Sequence, residues 1–237
     1  MSSTIKVNNI QNLAGDDSGI DLSTNDQIIL KTANTTAITV DSSQNVALAG
    51  NQTIAGTLGV TGNITGAGMD LLLDATISSA VSEYDISSTY INSTYDSYYL
   101  ESSLLPATDS VYPYLRVFVG GSVITTGIYG YEAQGVGGSS TLNNNSTSTF
   151  ILSHTQVGNA DGEGHSSVIW IRNVNSTTRP CSISGVTEMG SPTSAPHTSI
   201  FGGSLLPANR ADVVNGFRLW FSSGNIASGT VKLYGLR

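Results

Sequence analysis

The sequence predicts an all-β protein, and its composition carries this prediction. Charged residues make up only 11% of the 237 residues, far below the share of about 25% in ordinary soluble domains. Ser and Thr together supply 60 residues and Gly another 26, whereas Lys occurs only at positions 6, 31 and 232. Long helices are built from Ala, Leu, Glu, Lys and Arg. The Thr, Val, Ile, Tyr, Gly and Asn of this chain favour strands and tight turns instead.

Residues 1–68 contain no Trp, Tyr or Phe, and their apolar residues come in short runs at 28–30, 37–40 and 46–48. Each run is bounded by Asn, Asp, Ser or Gly, so each is predicted to be a short strand between turns. A segment of this kind buries too little apolar surface to offset its own chain entropy. We therefore expect residues 1–68 to be stabilised by partners.

A six-residue repeat follows these strands. Gly50, Gly56, Gly62 and Gly68 are spaced by six residues, and Leu48, Ile54 and Val60 keep the same interval. A short, regular period predicts a thin fibrous stalk whose apolar positions are covered by the same residues of neighbouring chains. A flexible Gly/Thr linker is the alternative interpretation.

Residues 69–237 carry all seventeen aromatic residues and the strongest strand signals. Apolar and polar residues alternate in the segments 114–119, 217–221 and 230–234, as expected of half-buried strands. Further strands are predicted at 71–78, 83–91, 95–104, 122–131, 147–154, 168–171, 182–188 and 198–204. About ten strands separated by Gly- and Asn-rich turns predict an antiparallel β-sandwich of the jelly-roll type.

Two of these strands indicate where their faces lie. The segment 217–221 places Phe217, Leu219 and Phe221 on one face and Arg218 and Trp220 on the other. The segment 168–171 is apolar on both faces, which predicts a central strand or a subunit interface.

Charge and cysteine content exclude several classes of protein. The net charge is −8 and Lys and Arg do not cluster, so nucleic acid is not an expected partner. A single cysteine, Cys181, rules out both a disulfide within the chain and a zinc site built from cysteines. The sequence has no window of 18 apolar residues, so a membrane-spanning helix is not predicted. The first residues have no apolar stretch of a signal peptide, so synthesis in the cytoplasm is expected.

Several segments resemble virion proteins of tailed bacteriophages. NDQIILKTAN at 25–34, AITVDSSQNV at 37–46 and QTIAGTLGVTG at 52–62 resemble virion fibre proteins, notably marine and cyanobacterial ones. YDISSTY at 84–90, LPATD at 105–109, GFRLWFSSGNIASG at 216–229 and VKLYGL at 231–236 look like a domain of phage structural proteins. These patterns cover most of the chain, but they are strand and turn patterns without a catalytic signature.

The resemblance implies a non-enzymatic component of the virion, made in the host cytoplasm. Such proteins are usually homotrimeric and contact other virion proteins through the N-terminal segment. On this basis residues 1–68 are expected to be the anchor and stalk of a tail fibre or spike, and residues 69–237 a sandwich that contacts a host surface glycan. A head fibre or capsid decoration protein is the alternative. A small depolymerase and a free carbohydrate-binding module are further hypotheses.

The best cluster of potential metal ligands is His154, Asp161, Glu163 and His165. Two imidazoles and two carboxylates could bind a cation. Their spacing matches neither the helical zinc motif nor the twelve-residue calcium loop, and a polar loop between two strands explains the cluster equally well. No metal, cofactor or catalytic residue is therefore assigned.

Carboxylates suitable for cleaving glycans are present, although nothing in the sequence pairs them. They are Asp109, Glu132, Asp161, Glu163 and Glu188. A Gly-x-Ser-x-Gly nucleophile motif is absent. The sequence therefore predicts a protein without enzymatic activity.

Aromatic side chains are the candidates for stacking against sugars. They are Tyr90, Tyr95, Tyr98, Tyr99, Tyr129, Tyr131 and Trp220. The competing interpretation is that tyrosines in a sandwich pack one face of a sheet and donate a hydrogen bond. The Gly-rich residues 135–140 and the Asn-rich residues 143–146 predict a long exposed hairpin tip, which is a common place for a recognition loop.

Overall fold

The computed structural model describes residues 9–11, 19–21, 28–32, 35–40, 45–49, 68–136, 141–191 and 194–236. The chain divides into two compact units, Met1–Val60 and Thr61–Arg237. The sequence places this boundary slightly later, between residues 68 and 69. Most of the six-residue glycine repeat lies outside the described residues.

The first unit is an antiparallel meander of five short strands, paired in the order β1-β2-β3-β4-β5. The strands are β1 (Asn9–Gln11), β2 (Gly19–Asp21), β3 (Ile28–Thr32), β4 (Thr35–Val40) and β5 (Val46–Leu48). All three apolar runs of the N-terminal segment are strands, as the sequence predicts. Strand β5 leaves Val46 60% and Leu48 46% exposed, so this sheet keeps uncovered apolar side chains within one chain.

The second unit contains two antiparallel sheets that are not closed into a barrel. The larger sheet has eight strands in the order β12-β11-β16-β15-β14-β8-β18-β6. The smaller sheet has the order β10-β9-β17-β7, with β13 pairing to β9. The strands are β6 (Met69–Ile77), β7 (Tyr84–Ile86), β8 (Ser97–Pro106), β9 (Pro113–Val119), β10 (Ser122–Val123), β11 (Tyr129–Gly135), β12 (Thr141–Thr147), β13 (Phe150–Ile151), β14 (Gly164–Arg172), β15 (Ser182–Ser191), β16 (Ser194–Leu205), β17 (Val214–Phe221) and β18 (Ile226–Leu236).

The all-β prediction is confirmed for the described residues, whose only helical element is the short 3₁₀ turn Pro207–Asn209. This part of the chain contains no helix long and apolar enough to span a membrane. Strand β14 lies inside the larger sheet, as its two apolar faces predict. The last strand, β18, is inserted between β8 and β6.

The two sheets share one hydrophobic core, which is formed by the inward positions of their alternating strands. Phe217, Leu219 and Phe221 of the smaller sheet and Ile169 and Leu233 of the larger sheet belong to the same buried cluster. Burial of side chains at every second position follows from the pleat of a strand. The alternation predicted for residues 217–221 is therefore confirmed, and the sheets pack face to face.

A buried tyrosine shows how polar groups are accommodated in this core. The Tyr129 hydroxyl donates to the Ile124 carbonyl at 2.8 Å and accepts from the Val117 amide at 3.2 Å. The ring packs edge-to-face against Phe150, with 4.9 Å between centroids. Burial raises the pKa of Tyr129 to about 12. Tyr129 therefore serves the core, not a solvent-facing site.

Three predicted strands differ from the observed ones because turns interrupt them. The segment 83–91 is a strand only over Tyr84–Ile86, since Tyr90 and Ile91 donate backbone hydrogen bonds to the Ser87 carbonyl. The segment 122–131 is divided between β10 and β11, and the segment 147–154 between β12 and β13. In each case the chain leaves one strand and pairs with a different one. Short-range turns thus replace continuous pairing at these places.

The predicted hairpin tip is shorter than the sequence indicates. Residues 143–146 form part of β12 instead of a loop, because Glu132 pairs with Asn143 and Gln134 with Thr141. Gly135 is the last residue of β11 and is buried. The Asn-rich segment therefore belongs to the edge strand of the larger sheet, and residues 137–140 lie outside the described residues.

Candidate functional site

The outer face of the larger sheet carries the candidate site. Strands β8 and β14 alternate strictly between buried and less buried positions, and β18 does so from Val231 to Leu236. The pleat therefore points Tyr99, Trp170 and Tyr234 away from the core. The register aligns them, since Tyr234 is opposite Tyr99 and Tyr99 is opposite Trp170. We call these three residues the aromatic row.

The aromatic row is a continuous surface of side chains in contact. The Tyr99 ring lies 4.9 Å from Trp170 and 5.9 Å from Tyr234, measured between centroids. Trp170 is 38% exposed, and the Arg172 guanidinium carbon lies 6.0 Å from its ring centre, farther than Arg116 lies from Trp220 on the smaller sheet. Such a surface offers flat apolar area and polar ring atoms to a ligand.

A shallow cleft of about 360 Å³ lies beside the aromatic row on the same face. Its lining includes Glu101, Ser103, Ser166, Val168 and Glu188. Ser166 and Ser103 hydrogen-bond to each other at 3.2 Å. Two carboxylates, from strands β8 and β15, and the ammonium group of Lys232 from β18 line the cleft together.

A larger groove of about 930 Å³ lies toward the β12 edge of the sheet. We call it the amide groove. Its outward-facing lining residues are Gly130, Glu132, Gln134, Asn143, Asn145, Ile200, Gly202 and Ser204, of which Ile200 is 58% exposed. Among the described residues, the side chains of Glu132, Gln134, Asn143 and Asn145 have no hydrogen-bond partner. Their donors and acceptors are thus available to a ligand.

The outer face of the smaller sheet is different, because its polar groups pair with each other. The Arg116 guanidinium carbon lies 4.4 Å from the centre of the Trp220 ring, and its Nε donates to the Ser148 carbonyl at 2.7 Å. Arg218 donates twice to Asp85, each time at 2.7 Å. These contacts cover the Trp220 ring and pair the Arg218 and Asp85 charges with each other. This face therefore offers a ligand fewer free groups than the larger sheet does.

Most of the aromatic residues proposed for sugar stacking belong to the core. Tyr95, Tyr98 and Tyr129 are buried, and Tyr90 and Tyr131 are partly buried against the same cluster. Only Tyr99 lies on the open face. The prediction of core packing is thus correct for the majority of these side chains.

The predicted metal ligands are not brought together. The Ala160 amide donates to Glu163 Oε2 at 2.8 Å, and Asp161 is exposed in the neighbouring turn. His154 contacts Ser199, with 2.5 Å between Nδ1 and Oγ, and its ring packs edge-to-face against His197. Within the described part of the chain, no three His, Cys, Asp or Glu side chains are grouped to hold a metal ion.

His165 points into the core, away from the other three residues. It is 2% exposed, and neither ring nitrogen has a hydrogen-bond partner. Its ring lies edge-on to Phe221, 6.3 Å between centroids. Burial lowers the pKa of His165 to about 4. The imidazole is therefore a neutral core side chain at physiological pH.

The predicted carboxylates are dispersed. Glu132 and Glu188 lie on the outer face of the larger sheet, on strands β11 and β15, and Asp109 is exposed after β8. Cys181 is buried and unoxidised, and burial raises the pKa of its thiol to about 12. The thiol is therefore not poised for nucleophilic chemistry.

No protein-family model, curated protein or solved structure matches this chain.

Trp170 and Tyr234 are the site residues that sequence reasoning missed. Each occupies an outward position of an alternating strand, which is a weak signal of exposure. Their proximity follows from the neighbouring positions of β18, β8 and β14 in the sheet, which a single sequence does not display.

Proposed function

We propose that this protein is a non-enzymatic structural protein of a phage particle, a trimeric tail fibre or spike that binds a saccharide on the host surface. In this proposal the first unit and the glycine repeat form the anchor and stalk. The second unit is a jelly-roll-like sandwich that binds the saccharide through the aromatic row.

The observation that carries the binding role is the outward-facing aromatic row of Tyr99, Trp170 and Tyr234. Aromatic side chains combine a large apolar surface with polar ring atoms, and this suits the apolar faces and hydroxyl edges of sugar rings. The adjacent cleft supplies Ser hydroxyls and carboxylates that can accept hydrogen bonds from sugar hydroxyls. Both features lie on one face of a rigid sheet.

Replacing Trp170 with alanine tests this role. We expect the Trp170→Ala chain to bind at least about tenfold more weakly, the usual cost of truncating a central aromatic contact. The measurement is binding of the full chain to an array of neutral and acidic oligosaccharides. Trp220→Ala is the matched control, since Arg116 covers Trp220 on the opposite sheet, and it should bind as the wild type does.

Two outcomes would contradict the proposal. An equal loss of binding in Trp170→Ala and Trp220→Ala would show that the aromatic row is not the binding site. Release of shorter sugars by the wild-type chain would show that the protein is an enzyme.

The fibre role rests on the uncovered apolar side chains of strand β5. Val46 and Leu48 leave apolar surface on β5 that the same residues of neighbouring chains in a trimer would cover. Light scattering of the full chain is expected to give three times the 24.6 kDa mass of one chain. Truncation to residues 69–237 should yield a monomer. A monomeric full chain would contradict the trimer.

The alternative is a head fibre or capsid decoration protein. Labelling the chain on intact particles separates the two locations. Label along the tail is expected, and label on the capsid shell would favour the alternative.

A further inference from the structure

We propose that the amide groove is a second subsite on the same face, and that the ligand is a linear, uncharged oligosaccharide lying across the strands. This inference rests on the proposed function, because it extends the aromatic row that carries it. It adds the length, direction and charge of the ligand.

The register places the two subsites on one line. Trp170 is opposite Ser184, Ser184 is opposite Gly202, and Gly202 is opposite Glu132. Glu132 is in turn opposite Asn143 on the edge strand. The line from Tyr234 to Asn143 therefore crosses six strand spacings, or about 29 Å. A sugar unit is about as long as one strand spacing, roughly 4.8 Å, so about six units would span the line.

The floor of the amide groove is low at Gly202, which has no side chain. A Cβ placed on Gly202 would come no closer than 3.7 Å to another heavy atom, the Ile183 carbonyl oxygen. Neighbouring Gly203 differs, since a Cβ there would lie 2.5 Å from the Gly130 carbonyl oxygen. Packing and backbone conformation thus explain the glycine at 203 but not the one at 202. A glycine at 202 keeps the groove open.

The groove offers both donors and acceptors. Gln134, Asn143 and Asn145 carry amides that each donate and accept, and no partner among the described residues occupies them. Sugar hydroxyls also donate and accept hydrogen bonds. They can therefore pair with these amides wherever the sugar lies along the edge strand. A purely apolar partner would leave these amides unpaired at a cost of about 1–3 kcal/mol each where they become buried.

Charge favours an uncharged ligand. Three carboxylates of the outer face, Glu101, Glu132 and Glu188, outnumber the cation Arg172, which keeps its charge while it donates to Ser184 at 3.0 Å. Lys232 is 3.6 Å from the carboxylate of Asp74. The whole chain also carries a net charge of −8. Sulfated or uronate sugars would meet like charge on this face, within a Debye length of about 8 Å at physiological salt.

The test compares neutral glucan, mannan and galactan oligosaccharides of three and six units, and their sulfated counterparts, with the full chain. We expect a neutral hexasaccharide to bind at least tenfold more tightly than its trisaccharide, and its sulfated form to bind more weakly. Gly202→Val should reduce hexasaccharide affinity to that of the trisaccharide and leave trisaccharide affinity unchanged. A β-branched residue suits a strand, so this variant should remain folded.

Two further variants keep the test independent of that single substitution. Asn143→Ala combined with Asn145→Ala changes only exposed residues of an edge strand, and it should also remove the gain from the longer ligand. Trp170→Ala should weaken both ligands.

The possible failures are distinct. A hexasaccharide that binds folded Gly202→Val as tightly as wild type would overturn the second subsite and leave the proposed function intact. Tighter binding of sulfated sugars would overturn the uncharged ligand. Absence of binding by the wild-type chain to every sugar would contradict the proposed function and this inference together.

Discussion

Replacing Phe217 with alanine is expected to lower the free energy of unfolding by about 3–5 kcal/mol, the usual cost of removing a buried phenylalanine. Phe217 is fully buried. It lies opposite Ile86 and Val117 on the flanking strands. Its ring occupies the shared core, so its loss should weaken both sheets of the second unit together.

The two tryptophans make this prediction specific. The chain contains only two, Trp170 on the larger sheet and Trp220 on the smaller one. Trp170→Phe therefore leaves a fluorescence reporter of the smaller sheet, and Trp220→Phe one of the larger sheet. Thermal unfolding in each background should show the same lowered midpoint when Phe217→Ala is added.

Phe118→Ala is the matched control for this experiment. Phe118 lies on the adjacent strand β9, but on the outer face, where Arg218 lies 5.5 Å from its ring centre. We expect a loss of about 1 kcal/mol or less, since little surface leaves the core. Separate midpoints for the two reporters would contradict a shared core, as would equal losses at Phe217 and Phe118.

Acid is expected to destabilise the sandwich through His165. Burial lowers its pKa from 6.5 to about 4, so the unfolded chain takes up the proton first as pH falls. The contribution of neutral, buried His165 to the free energy of unfolding is fully present above pH 6.5 and is lost progressively as the pH falls toward 4. At 1.36 kcal/mol per pKa unit, the loss amounts to about 3 kcal/mol.

The measurement is the unfolding free energy from urea titrations between pH 7 and pH 4.5. Fewer carboxylates titrate in this range than below pH 4.5. His165→Phe should abolish most of the wild-type decline. It should also be neutral or stabilising at pH 7, because two unpaired buried nitrogens disappear. Burial and His197 also lower the pKa of His154, but His154 is partly exposed, so His154→Gln should keep most of the decline. The same slope in wild type and His165→Phe would contradict the prediction.

The candidate site was less predictable than the fold, and His165 shows why. Its neighbours Asp161 and Glu163 in the sequence suggest a polar loop. Strand β14 begins at Gly164, however, and its alternation turns His165 toward Phe221. A one-residue slip in pairing register moves every side chain of a strand to the opposite face, and the sequence does not display the register of β14 with β8 and β15.

The sequence by itself determined the all-β class, the three N-terminal strands and the buried face of residues 217–221, since these follow from composition and from alternation within one strand. Only the tertiary structure decided that β18, β8 and β14 are neighbours, that Tyr99 contacts Trp170 and Tyr234, and that residues 143–146 join the edge strand. The jelly-roll connectivity and the stalk remain predictions. The physical reason is that pairing between strands distant along the chain depends on the fit of whole faces in a shared core, whereas alternation is set by the local pleat.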